Sequence, residues 1–398
     1  MMDAAIFRTP QTIIYGRDSF GKLGEQAKLK GTKALIISDK VMDGLGYTKQ
    51  CNEMLIAANL DSELYLGVDS EPTDQYVQEA LEMFQKSQCD LVISIGGGSC
   101  IDTAKAVAVL AANGGYIGDF IGGKKLAEQE PVPHIVIPTT AGTGSEATDV
   151  TVITNTSNDV KMMIKQPAFM PSVAIVDPVL TISSPKHVTA ATGIDALSHA
   201  VEAYLSRKSH PMTDMIGLSA MELIVQNIEA AYEDGENLTA REAMSLGSLQ
   251  AGMAFSNASV CLVHGMSRPI GALFHVPHGY SNAMLLPAVL EFSKDACIDR
   301  LADLGRIFSP EKTNLSNEAA AELAVKAVKR LCLNMNIPNL KGWGIEESAF
   351  NQAVSKMTED ALASGSPANN PRVPNREELE TLYHTCFHYQ FAEKEEVQ

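Results

Sequence analysis

The sequence has little of what marks nucleic-acid-binding, membrane or disulfide-rich proteins. It has no Lys/Arg-dense run, and 31 basic against 48 acidic residues give a formal net charge of −17, which argues against a nucleic-acid or anionic-membrane surface. No apolar stretch approaches the roughly 20 residues that a membrane-spanning helix needs. The 7 cysteines lack CxxC spacing, and their odd number, without a secretion-signal pattern, indicates reduced thiols. We therefore expect a cytoplasmic protein that binds neither nucleic acid nor membranes.

The length of 398 residues exceeds what one ordinary core accommodates and predicts two domains. In the first half, short apolar runs alternate with helical segments, a pattern typical of a parallel α/β sheet. The predicted strands are 11–16, 33–38, 62–68, 90–95 and 134–138. After residue 180 the pattern is predominantly helical, with predicted helices at 186–206, 211–232, 239–256, from 258 onward, and at 282–306, 316–335 and 376–389. We therefore predict an α/β domain at 1–180 and an all-helical domain at 181–398.

Four side chains of the helical half form a candidate metal site. Asp195 and His199 are four residues apart, so a helix places both on one face. His264 and His278 follow in two later segments. One carboxylate and three imidazoles suit Fe(II), Zn(II), Co(II) or Mn(II). From spacing alone, a helix-terminal aspartate and buried structural histidines remain an equal alternative.

Two glycine-rich loops follow predicted strands of the α/β half. The first contains Gly96, Gly97, Gly98 and Ser99 ahead of an alanine-rich helix, where free backbone N–H groups and the helix dipole can bind a pyrophosphate. It is neither GxGxxG, because residue 101 is Ile, nor a P-loop. The second loop, 139–146, reads Thr-Thr-Ala-Gly-Thr-Gly-Ser-Glu and adds Thr139, Thr140 and Ser145. A plain strand–helix turn remains the alternative for either loop alone.

Two charged residues could decide which cofactor binds. Asp39 follows the strand at 33–38, where an acid can accept hydrogen bonds from ribose hydroxyls and repel a 2′-phosphate, which favours NAD over NADP. A helix N-cap is the equally plausible alternative for Asp39. Lys161 could neutralise cofactor charge, although an exposed lysine without that role explains it as well.

The motifs Gly-Gly-Gly-Ser (96–99), Thr-Thr-Ala-Gly-Thr-Gly-Ser-Glu (139–146), Gly-Ile-Asp-Ala-Leu-Ser-His-Ala-Val-Glu-Ala-Tyr (193–204) and His-Gly-Met-Ser-Arg-Pro-Ile-Gly-Ala with Pro-His-Gly (264–279) closely resemble those of the iron-containing (group III) alcohol dehydrogenases. The resemblance implies a Rossmann-like dinucleotide-binding α/β domain followed by a helical domain. It implies that the metal, Fe(II) or alternatively Zn(II), is held by Asp195, His199, His264 and His278. It also implies that NAD is lined by Asp39, Gly97, Gly98, Ser99, Asp102, Thr139, Thr140 and Lys161. Members commonly form homodimers or larger homo-oligomers.

The chain departs from the family pattern at one position near the expected reaction centre. Where relatives often have a second histidine four residues after the third metal ligand, this sequence has Arg268. An arginine cannot relay a proton at neutral pH, so His275 is the nearest alternative in sequence. Arg268 could instead contact the cofactor, attract a substrate with a distal anionic group, or form a structural ion pair.

The resemblance predicts a metal-dependent oxidoreductase that transfers hydride reversibly between NAD(H) and small primary alcohols or aldehydes. Alternatives on the same scaffold are a glycerol-dehydrogenase-like polyol oxidoreductase, and a reductase for an aldehyde whose anionic group Arg268 binds. A dehydroquinate-synthase-like enzyme and a non-catalytic nucleotide-binding protein remain more distant alternatives.

Overall fold

The computed structural model describes residues 4–158, 160–312 and 314–392. Two compact units divide the chain, one spanning Ile6–Ser184 and the other beginning at Pro185, close to the boundary predicted at residue 180. The first unit is α/β and the second is helical, so the predicted fold class is confirmed.

The strands of the α/β unit are β1 Thr12–Tyr15, β2 Lys33–Ile37, β3 Asp61–Tyr65, β4 Leu91–Gly96, β5 His134–Pro138, β6 Val150–Asn155, β7 Val160–Lys165 and β8 Val173–Val176. Six of them form a parallel sheet in the order β1-β8-β5-β4-β2-β3, and β6 and β7 form a separate antiparallel pair. The helices of this unit are α1 Leu23–Lys28, α2 Lys40–Gly44, α3 Tyr47–Ala57, α4 Asp74–Lys86 and α5 Gly98–Asn113.

The central strands of this sheet are apolar because helices cover both faces. Every residue of β4 and of β5 is buried, as expected for strands inside a doubly wound sheet. From β2 the chain moves outward to β3 and then crosses back to β4. The strand order therefore reverses between β2 and β4. Ligands of α/β proteins bind outside the carboxyl ends of the strands at such a point.

The helical unit consists of ten helices within the described part of the chain. They are α6 Lys186–Leu205, α7 Pro211–Glu233, α8 Leu238–Ala258, α9 Leu262–Phe274, α10 His278–Ser293, α11 Ile298–Phe308, α12 Asn317–Asn334, α13 Leu340–Trp343, α14 Glu347–Ala363 and α15 Arg376–Phe387. Helix α6 is buried along nearly its whole length from Thr189, so its polar side chains face other helices rather than water. Such side chains need hydrogen-bond or ionic partners.

Within the described residues, no single helix combines the length and the apolar composition needed to cross a membrane. The two helices α8 and α9 reach that composition only when taken together, and they bend by 102° at their junction.

Helices α11 and α12 approach closely at Gly305, which gives a direct stability prediction. A Cβ at this position would overlap the carbonyl oxygen of Ala320, and a backbone atom cannot move aside without separating the helices. Overpacking typically costs about 1–3 kcal/mol, which exceeds the gain in helix propensity of about 1 kcal/mol. We expect Gly305→Ala to lower the free energy of unfolding, measured by urea denaturation with circular dichroism.

Gly217 in α7 is the matched control for this substitution. The nearest atoms to a Cβ there lie at 3.6 to 3.9 Å, which is ordinary van der Waals contact. Gly217→Ala should therefore be neutral or stabilising by up to about 1 kcal/mol. Equal effects of the two substitutions would contradict the close helix contact.

Candidate functional site

The four side chains predicted to bind a metal lie together in the helical unit. One potential ligand atom from each of Asp195, His199, His264 and His278 lies within 4.8 Å of the other three. The first three side chains are buried and His278 is half-buried. Helix α6 supplies Asp195 and His199, α9 supplies His264 in its first turn, and α10 begins at His278. Three separate helices therefore direct their polar groups to one point.

The aspartate is surrounded by imidazoles. Asp195 Oδ1 lies 3.6 Å from His264 Nε2 and 3.9 Å from His199 Nδ1. Burial opposes ionisation of Asp195, but its charge interactions with His199 and His278 and its hydrogen bond with His264 outweigh burial and hold its pKa below the ordinary value. Asp195 is therefore an anion at neutral pH and can contribute charge to a metal site.

The imidazole rings are fixed by stacking on one another and on Phe255. His199 lies between Phe255, with ring centroids 4.3 Å apart, and His264, with centroids 4.4 Å apart. The His264 and His278 rings are tilted at 59° with centroids 5.3 Å apart. Phe255 therefore has two roles: it packs between helices, and it restricts the orientation of the His199 ring.

Two polar residues that received no predicted role contact this cluster. Glu202 accepts a hydrogen bond from His264 Nδ1 at 2.5 Å and another from the backbone N–H of Val263 at 2.6 Å. Asn282 Nδ2 donates to Asp195 Oδ1 at 2.6 Å and lies 3.0 Å from His264 Nε2. Helical spacing offered a signal for both, because Glu202 follows His199 by three residues and Asn282 follows His278 by four.

The donor set fits a divalent cation. The hydrogen bond with Glu202 engages Nδ1 of the His264 ring, and Nε2 is the ring nitrogen that faces Asp195. Burial lowers the pKa of His264, but Glu202 and Asp195 outweigh it and raise that pKa. Negative neighbours favour a positive charge at Nε2, which either a proton or a metal cation can supply. A metal ion that binds a histidine nitrogen displaces the proton from it. One anionic oxygen and three nitrogens within reach of one another suit Fe(II) or Zn(II).

The predicted cofactor loops lie at the carboxyl ends of neighbouring parallel strands in the α/β unit. Asp39 follows β2, the glycine loop ends β4 and begins α5, and Thr139 and Thr140 follow β5. The Thr139 N–H donates to the Gly96 carbonyl at 3.0 Å, which joins the two loops directly. The ends of these three adjacent strands border the point where the strand order reverses.

The glycine loop has the local geometry of an anion site. Helix α5 has no side-chain cap at its N-terminus, so its first N–H groups are presented to a ligand. Gly96 has a φ of 152°, which favours glycine, and a Cβ there would lie 2.7 Å from Cys100 Sγ. These features fit the pyrophosphate of a dinucleotide.

Asp39 is the N-cap of α2, so the structural alternative for this residue is realised. Its Oδ1 accepts from the backbone N–H groups of Val41 at 2.8 Å and Met42 at 2.9 Å. Its Oδ2 lies 3.6 Å from Cys100 Sγ. Because capping uses mainly one oxygen, the capping role does not exclude a hydrogen bond from Oδ2 to a ribose.

Two other predicted cofactor residues, Asp102 and Ser145, have partners within the α/β unit. Asp102 accepts from Ser145 Oγ at 2.5 Å and from the backbone N–H of Val152 at 2.8 Å. The buried Lys105 donates to Ser145 Oγ at 3.0 Å, and burial lowers the pKa of Lys105 to about 8. This network ties α5 to the loop at 139–146, a supporting role that the sequence pattern did not indicate.

Lys161 also has a protein partner. Its Nζ lies 3.0 Å from Glu71 Oε2, and its side chain is 13% exposed. This environment differs from the freely exposed lysine that was the alternative expectation.

The two residues considered for a proton path occupy different environments. Arg268 donates from Nη1 to Ser366 Oγ at 2.9 Å; burial lowers its pKa to about 10, against the opposing effect of the Glu202 charge. His275 is exposed and has a φ of 54° at the C-cap of α9. The role of His275 in proton transfer and the contact of Arg268 with the cofactor or with an anionic substrate group remain predictions.

Comparison with known proteins covers both units. Residues 10–178 match the family model described as iron-containing alcohol dehydrogenase, and residues 189–387 match the C-terminal model of the Fe-containing alcohol dehydrogenase family. The chain is 38% identical to 1,3-propanediol dehydrogenase of Citrobacter freundii over 96% of this chain and 98% of the relative. It is 36% identical to NAD-dependent methanol dehydrogenase of Bacillus methanolicus over 94% and 97% of the two chains.

The fold agrees with a solved structure of the same kind. The crystal structure of a 1,3-propanediol oxidoreductase aligns with a TM-score of 0.93 and 36% identity, covering 97% of this chain and 100% of that chain. The matches to both family models and the near-complete coverage leave one conclusion: the chain belongs to the iron-containing alcohol dehydrogenase family and is an oxidoreductase of that type.

Proposed function

We propose that this protein uses NAD and a divalent metal ion, Fe(II) or alternatively Zn(II), to interconvert small primary alcohols and aldehydes. The convergence of Asp195, His199, His264 and His278 within 4.8 Å carries the proposal. It is supported by relatives named for 1,3-propanediol and for NAD-dependent methanol oxidation.

The helical unit would hold the metal through these four side chains. The chemistry that a divalent cation supplies when bound is Lewis acidity toward an alcohol or carbonyl oxygen, and NAD supplies the hydride acceptor. Asp195 would contribute a negative charge to the site. Phe255 stacks on His199, which restricts the ring and adds apolar surface beside the ligands.

The α/β unit would hold the cofactor. The N-terminal N–H groups of α5, from Gly98 and Ser99, would bind the pyrophosphate, with Gly96 and Gly97 allowing close approach of the backbone. Thr139 and Thr140 would offer hydroxyl groups from the neighbouring loop, and Asp39 would accept from the ribose. Asp102 and Ser145 would act by holding the two loops together, as their mutual hydrogen bond suggests.

The proposal is tested by metal exchange. Protein stripped of metal under anaerobic conditions should lose alcohol-dependent reduction of NAD, and adding Fe(II) or Zn(II) should restore it. The reaction is followed by the absorbance of the NADH formed. Ethanol, butanol and 1,3-propanediol should be better substrates than glycerol. Higher activity with glycerol would instead favour the polyol alternative. Full activity in a rigorously metal-free preparation would refute the metal-dependent mechanism.

We also propose a cytoplasmic homodimer or larger homo-oligomer. The seven cysteines are all free and buried, which suits a reducing compartment. Strand β1 lies at the edge of the sheet and its Tyr15 is 61% exposed, so a second chain could pair there. Light scattering coupled to size-exclusion chromatography should give at least twice the 42.7 kDa chain mass; a monomer would contradict the proposal.

A further inference from the structure

Glu202 is buried behind a metal-ligand candidate and both of its carboxylate oxygens are engaged. Its side chain is 4% exposed. Oε2 accepts from His264 Nδ1, and Oε1 accepts from the backbone N–H of Val263 in the first turn of α9. The same helix, α6, therefore supplies two candidate ligands and the group that orients a third.

We propose that Glu202 is a positioning residue of the metal centre, which holds the His264 ring proton on Nδ1 so that Nε2 keeps its lone pair for the metal. This inference rests on the proposed function, because it requires a metal ion at these ligands. A carboxylate that accepts from the remote nitrogen of a ligating histidine fixes the tautomer and ring orientation and strengthens the nitrogen as a donor.

A purely structural role for Glu202 is the alternative that an experiment must separate. Glu202 also satisfies an N–H group at the beginning of α9, whose N-cap residue Cys261 makes no side-chain capping bond. Loss of such a cap lowers stability by about 1 kcal/mol, but it does not by itself change the affinity of a folded protein for metal.

Glu202→Gln separates these roles because the amide keeps the shape and loses one acceptor. A glutamine turned to accept from Val263 directs its NH₂ group at His264 Nδ1, which favours the tautomer with the proton on Nε2. Titration of the metal-free proteins with Co(II), followed by visible absorption, should show binding roughly 10- to 100-fold weaker in the variant. Circular dichroism should show the variant folded.

Asp303→Asn is the matched control. It changes a carboxylate of the same unit that accepts from Tyr204 Oη at 2.6 Å, away from the four ligand candidates, and it should bind Co(II) as the wild type does. If Glu202→Gln does not fold, Glu202→Asp, which keeps the charge on a shorter side chain, replaces it and should also bind more weakly.

The outcomes distinguish this inference from the proposed function. Co(II) binding by the wild type with unchanged affinity in the folded Glu202 variant would overturn the positioning role and leave the metal site standing. Failure of the wild type to bind Co(II) would overturn the metal site and the positioning role together. Selective weakening in the Glu202 variant supports both.

Discussion

Replacing His278 with alanine should abolish metal binding and lower kcat/KM for alcohol oxidation by roughly a thousandfold or more. His278 is the first residue of α10 and brings the ligand that α6 and α9 cannot supply. Loss of the Lewis acid removes several kcal/mol of stabilisation of developing charge on the reacting oxygen, and about 4 kcal/mol corresponds to a factor of a thousand. Metal content by mass spectrometry and steady-state kinetics measure the two effects.

The affinity for NAD should not change in this variant. The proposed cofactor residues belong to the α/β unit, Ile6–Ser184, whereas His278 belongs to the helical unit. Fluorescence titration with NADH should therefore give the wild-type Kd. His388→Ala is the control, because His388 is an exposed histidine of the helical unit 3.5 Å from Glu347, and it should leave metal content and turnover unchanged. Wild-type turnover in the His278 variant would eliminate this residue as a ligand.

The sequence predicted five of the six parallel strands of the α/β unit and missed β8, Val173–Val176. The central strands were predicted because burial on both faces requires continuous apolar runs. Segments such as Leu91–Gly96 and His134–Pro138 have this pattern. The hairpin Val150–Asn155 with Val160–Lys165 was not predicted, although it alternates between buried and less buried residues. Its strands follow the glycine-rich loop at 139–146, where the motif directed attention to ligand binding rather than to sheet structure.

Helix boundaries in the second half depended on breaks that residue types alone did not reveal. The predicted continuous helix at 282–306 is wrong: α10 begins earlier, at His278, and ends at Ser293, and α11 starts at Ile298. A short 3-10 turn and the non-helical Cys297, with a ψ of 36°, separate them. Helices α13 and α14 were missed altogether. Local propensity continues through such breaks, whereas packing of the separate helices fixes where the chain turns.

The metal-site candidates were found from types and spacing, but their convergence is a property of the tertiary structure. The spacing of Asp195 and His199 places both on one helix face, but polar residues four apart also occur on amphipathic helices that bind no metal. The positions of His264 and His278 relative to that face depend on how α9 and α10 pack against α6. At the level of sequence, only the family resemblance indicated that the four side chains meet. Glu202 and Asn282 share helical spacing with His199 and His278, but spacing alone does not show that a buried acid or amide contacts a metal ligand until its partner is known.

Asp39→Gly should raise the ratio of kcat/KM for NADP over that for NAD by roughly a hundredfold. A carboxylate about 5 Å from a phosphate repels it by about 3 kcal/mol at an effective dielectric constant of 20, which corresponds to that factor. The neighbouring Lys40, exposed and paired with Asp69 at 2.9 Å, would remain to attract a 2′-phosphate. Initial rates with each coenzyme at subsaturating concentrations measure the ratio.

Asp39→Asn separates the charge of this residue from its role as a helix cap. Asparagine keeps an oxygen that can accept from the Val41 and Met42 N–H groups, and it removes the negative charge. If charge sets the preference, Asn and Gly should both raise the use of NADP, because neither repels the 2′-phosphate. If Asp39 only caps α2, neither substitution should change the coenzyme ratio, and the capping loss in the Gly variant should cost no more than a few tenths of a kcal/mol. An unchanged ratio in both variants would therefore remove Asp39 from the cofactor site and leave it as the residue that begins α2.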